Sequence, residues 1–84
     1  MVAFDQYDIS PALQKKITDY IEHGKLTNSF LKYVLQNDLF NAVLESSPED
    51  MDDLSDLVKF LYFEVSVELW GSADRVQRHS VDFV

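Results

Sequence analysis

Apolar positions recur at helical spacing in successive runs along this chain, and short polar breaks separate them. Leu13, Ile17, Tyr20 and Ile21 lie one turn apart between Ser10-Pro11 and Gly24. A capping serine, a proline at the first helical position and a terminating glycine predict a short first helix. Thr27 suits the N-cap of a second helix, whose stripe of Phe30, Leu31, Val34, Leu35, Leu39, Val43 and Leu44 runs to Ser46-Ser47. Ser47-Pro48-Glu49-Asp50 combines a hydroxyl cap, a first-turn proline and carboxylates beside the positive end of the dipole, which marks a third start. Met51, Leu54, Leu57, Val58, Leu61, Tyr62, Val65 and Leu69 extend that helix to Trp70. After Gly71, Ser72 caps a short final helix through Arg75, Val76 and Arg78. Val58–Leu69 is rich enough in β-branched and aromatic residues to read as a strand, the competing assignment.

The predicted fold is all-α: a short N-terminal helix, two longer antiparallel helices joined tightly at Ser46-Ser47, and a short C-terminal helix. The two glycines and two prolines fall between the periodic runs, as helices require and turn-rich sheets do not. Eighty-four residues form one domain, 1–84, with no low-complexity stretch to act as a linker. A domain of this size buries only about 60% of its unfolded surface and gains from outside support. Cysteine is absent and His23 and His79 have no ligand spacing, so neither disulfide nor structural metal is expected. Oligomerisation remains, and six Phe, four Tyr and one Trp provide apolar surface for it.

Fifteen acidic residues against seven basic ones give a formal charge of -8. That balance disfavours duplex nucleic acid and anionic membranes as partners. The run from Val58 to Trp70 is interrupted by Lys59, Glu64 and Glu68 and is too short to span a bilayer. No signal-peptide pattern is visible, so the expected location is the cytosol. The cluster Glu49, Asp50, Asp52, Asp53 and Asp56 reads as a solvated helix start. No glycine-rich phosphate loop, His-x-x-x-His pair or nucleophile elbow occurs, so the expectation is binding without chemistry: no enzyme and no cofactor.

Against that acidic background, Lys25 and Arg75 each stand beside a predicted helix start, at Thr27 and Ser72. In the hairpin, both starts fall at the same end and form one electropositive site, with geometry suited to phosphate. Tyr7, ahead of the first helix, can stack on a base or pack on a neighbouring subunit. Trp70 reads as a core or interface anchor, and His23 as a polar helix end.

Several segments together carry a resemblance: Tyr20-Ile21-Glu22-His23-Gly24, Ser29-Phe30-Leu31, Val34-Leu35-Gln36-Asn37-Asp38-Leu39 with Ala42-Val43, Val58-Lys59-Phe60-Leu61-Tyr62, and Trp70-Gly71-Ser72. In this order, from about Tyr7 to Arg78, the chain resembles small phage anti-CBASS proteins that sequester cyclic oligonucleotides. The resemblance implies a helical subunit assembled as a homohexamer in the cytoplasm of the infected bacterial host. It also implies capture of host immune messengers without cleavage. Cyclic dinucleotides would sit between subunit pairs against Tyr7 and Lys25. Cyclic trinucleotides would sit around a threefold axis against Thr27 and Arg75, the arginine following Ala73 in an Ala-x-Arg context. Where related chains carry a proline before Trp-Gly-Ser and glycines in the loop, this one has Val65-Ser66-Val67 and Thr27-Asn28-Ser29. The alternative function is an acidic helical inhibitor that binds a host defence protein directly, using the turn from Glu49 to Asp56.

Overall fold

A computed structural model describes residues 4–80, and among them all regular structure is helical. Five helices follow in order: α1 (Pro11–His23), α2 (Ser29–Leu35), α3 (Leu39–Leu44), α4 (Pro48–Glu64) and α5 (Ala73–His79). The segment Val58–Leu69, the competing strand, is helix up to Glu64 and irregular beyond it.

Helix α1 follows the sequence expectation. Pro11 opens it, and Gly24 closes it in the left-handed region at φ 68°. The amide of Gly24 donates to the Tyr20 carbonyl and that of Lys25 to the Asp19 carbonyl, which satisfies the last turn. The Ser10 side chain makes no cap hydrogen bond. Its backbone N–H instead donates to the Asp53 carboxylate on α4 at 3.2 Å, and the Asp8 N–H donates to Asp56. The two carboxylates thus anchor the chain entering α1 along the first half of α4.

The predicted long second helix is two short ones. Asn28, not Thr27, caps α2, its Oδ1 accepting from the Leu31 N–H at 2.8 Å. At Asn37 the backbone turns to φ 61°, and Asp38 begins α3 as a fresh cap, accepting from the Asn41 N–H and side-chain amide. Asparagine tolerates the left-handed conformation because its short polar side chain makes local hydrogen bonds, so it serves here as glycine does at Gly24. The apolar spacing hides this break, since Leu35 and Leu39 remain four residues apart across it.

Helix α4 begins as predicted with a complete capping box. The Ser47 hydroxyl accepts from the Asp50 N–H at 3.2 Å, and the Asp50 carboxylate accepts from the Ser47 N–H at 3.0 Å. It ends at Glu64, six residues before Trp70, because Val65 is extended. The buried face of α4 is Asp53, Leu57, Phe60 and Leu61. Met51, Val58 and Tyr62, counted on the core face by spacing, are exposed, while Phe60 is 1% exposed. Around Leu57 and Phe60 the core gathers Ile9, Leu13, Ile17 and Tyr20 with Phe30, Leu31, Val34 and Leu35, and receives Ala42 from α3 and Val76 from α5.

Segment 65–72 crosses the molecule without regular structure, and several of its backbone groups are paired with other elements. Tyr20 donates its hydroxyl to the Leu69 carbonyl, and the Gly71 N–H donates to the Leu35 carbonyl at 2.6 Å. Gly71 has φ 105°, a conformation that side-chain-bearing residues rarely adopt, and a Cβ there would lie 3.0 Å from an Arg75 guanidinium nitrogen. Ser72 then caps α5 as predicted, accepting from the Arg75 N–H at 3.2 Å.

Candidate functional site

The irregular segment and α5 flank a cleft of about 450 Å³ lined by Val67, Glu68, Leu69, Arg75, Arg78 and His79. Arg75, Arg78 and His79 stand at i, i+3 and i+4 on α5 and therefore share one side of the helix. Two guanidinium groups and an imidazole face one carboxylate, a local excess of positive charge in a chain of formal charge -8. A second depression, formed by Asp74, Gln77 and Arg78, continues along the helix.

Arg75 and His79 are held in place from behind. Arg75 donates through Nη1 to the Trp70 carbonyl at 3.4 Å. A His79 ring nitrogen lies 2.7 Å from the Tyr20 carbonyl, and the two rings meet edge to face with centroids 4.8 Å apart. Trp70 in turn donates its indole N–H to the Val65 carbonyl at 3.4 Å. With its anchor on the backbone, the Arg75 fork has further N–H groups for a ligand, and guanidinium geometry matches the paired oxygens of phosphate. Burial raises the Tyr20 phenol to about 12, which keeps it a neutral hydrogen-bond donor over the whole physiological range.

The residues singled out from sequence are not all gathered at this cleft. Arg75 lines it; Lys25, Thr27 and Ala73 do not. Lys25 and Thr27 are exposed on the connection between α1 and α2, and Ala73 is exposed at the start of α5. The expected meeting of the two helix starts relied on an unbroken helix from Thr27 to Leu44. That helix breaks at Asn37, and the chain before α5 pairs with Leu35, the last residue of α2. Lys25 also serves α1, since a cation beside its terminal carbonyls complements the negative end of the dipole.

Tyr7 belongs to another part of the surface. Its ring meets Phe60 edge to face at 5.3 Å, and its hydroxyl donates to Glu64 at 2.9 Å. Burial first, then the Glu64 carboxylate, push its phenol above the ordinary tyrosine range. The acidic turn is not uniformly solvated either: Asp53 is 8% exposed, and Asp50, Asp53 and Asp56 each accept a backbone N–H. Arg78 and His79 are the site residues that sequence reasoning missed, although the Arg75-x-x-Arg78-His79 spacing on a capped helix was the available signal.

Among the described residues, no group of three or more His, Asp or Glu side chains is placed to hold a metal ion. No described helix is long and apolar enough to cross a membrane. Comparison with protein families, curated proteins and solved structures finds no match to this chain.

Proposed function

We propose that this protein is a phage anti-defence protein that binds cyclic dinucleotide and cyclic trinucleotide messengers without cleaving them, and so blocks activation of CBASS effectors in the cytoplasm of the infected bacterium. The observation that carries the reading is the cleft in which Arg75, Arg78 and His79 converge within an acidic chain. Charge-assisted hydrogen bonds from guanidinium groups suit phosphodiesters, and no covalent step is needed for capture. In a homo-oligomer, a hexamer by resemblance alone, a threefold arrangement repeats Arg75 once per phosphate of a cyclic trinucleotide. Thr27 and Lys25, which do not line the cleft, then reach ligands at subunit boundaries. The dinucleotide pocket draws on Lys25 and Tyr7 together.

The alternative, an acidic inhibitor docking on a host defence protein, relies on the carboxylates from Glu49 to Asp56. Three of these carboxylates are occupied by backbone N–H groups inside the chain, which favours the nucleotide reading.

Calorimetric titration of the two ligand classes tests the assignment. Arg75→Ala removes a charged hydrogen-bond donor and is expected to weaken cyclic trinucleotide binding by about 10-fold or more. Lys25→Ala is expected to act mainly on the dinucleotide. Parent-like binding of both ligands by both variants would refute the site. Chromatography of ligand released from the parent should return it intact; a cleaved product would overturn capture without chemistry.

A further inference from the structure

We propose that the apolar face shared by α3 and the outer stripe of α4 is where a second copy of this chain docks, patch against patch about a twofold axis. Leu39, Phe40, Val43 and Leu44 are 64%, 83%, 43% and 73% exposed, while Ala42 alone of α3 is buried. On α4, Val58 and Tyr62 are 44% and 72% exposed and lie four residues apart, on one side of the helix. A depression of about 60 Å³ lies between the two helices, lined by Leu39 and Ala42, by Leu54 and Val58, and by Asn37 and Asp38 of the junction before α3.

Three observations choose a second copy as the occupant. The first is area: at full side-chain areas of roughly 150–250 Å², these six exposed residues offer on the order of 700 Å², near the roughly 800 Å² each partner gives to a standard interface. The second is charge. A chain of formal charge -8 repels its own copies, yet α3 reads Leu-Phe-Asn-Ala-Val-Leu without a charged residue. Its acidic neighbours Asp38 and Glu45 flank it in sequence, and Asp38, which lines the depression, is engaged with Asn41. The third is pattern: Leu39, Val43, Leu44, Val58 and Tyr62 keep the helical spacing of a buried face, and the single chain leaves them uncovered.

This docking rests on the nucleotide reading only in supplying the assembly that reading uses, and its test contains no nucleotide, so the two can fail separately. In sedimentation velocity at micromolar concentrations, the parent is expected to run as an oligomer. Phe40→Asp with Leu44→Asp is expected to weaken self-association by about 100-fold or more, with the far-UV helical spectrum unchanged. Ala12→Asp, at an exposed position on α1 outside the patch, should leave assembly intact. Since the chain has no cysteine, a second arm avoids charged substitutions altogether. Leu44→Cys should be captured as a dimer by a short bis-maleimide, whereas Gln77→Cys on α5 should not. A monomeric parent, as a different protein partner for this face would leave it, would overturn the proposal. So would an assembled double variant, or a Leu44→Cys variant that the bis-maleimide leaves uncoupled.

Discussion

Two single residues set conformations on which their surroundings depend. Asn37, at φ 61°, ends α2 and lets Asp38 start α3. Asn37→Ala places a side chain without local hydrogen bonds in the left-handed region and is expected to cost about 1 kcal/mol. Asn37→Gly should cost little, and urea midpoints compare the two. Tyr20 joins α1 to segment 65–72 through its hydroxyl and carries His79 on its carbonyl. Its raised pKa implies a definite pH response. The unfolded phenol ionises near 10 and the folded one near 12, so the unfolded chain releases its proton first. Stability from this group is complete below pH 10 and is lost as pH rises towards 12. Tyr20→Phe is expected to flatten that decline in pH-dependent denaturation and to cost about 1–2 kcal/mol at neutral pH by leaving the Leu69 carbonyl without its partner.

At the scale of elements, the clearest signals were those with several chemical components acting together. Ser47, Pro48 and Asp50 specify the start of α4 by cap, fixed φ and reciprocal carboxylate, and the structure forms every part of that box. Ser47→Ala is accordingly expected to cost about 1 kcal/mol, read as a lower thermal midpoint without loss of fold. Signals resting on spacing alone did less well. A four-residue interval between Leu35 and Leu39 is the same in one helix or across an Asn-Asp junction, so the stripe concealed the division of α2 from α3. Spacing likewise placed Val58 and Tyr62 beside Leu57 and Leu61 but could not say which side of a broadly apolar helix meets the core. Phe60 settles it, with Phe4 stacked on its ring at 4.5 Å. The site was partly legible: Ser72 as a cap and Arg75 as a cation follow from local chemistry. What spacing could not supply is the break at Asn37 and the Gly71–Leu35 hydrogen bond, which joins residues distant in sequence.

For the whole molecule, the opposed features are a small core, a large acidic excess, one cationic cleft and one uncharged apolar face. Assembly through the apolar face would cover surface that a chain of this size cannot bury alone. It would leave the cleft beside α5, which contributes nothing to that face, available for an anion and repeated by symmetry. The local field of Arg75 and Arg78, not the net charge, then governs ligand capture, and binding should weaken as salt screens it. Titration of the unmodified protein with a panel of cyclic di- and trinucleotides at low and high salt tests this most directly. The expected result is saturable binding that weakens with salt and releases the ligand unchanged. Absence of binding across the panel would contradict it.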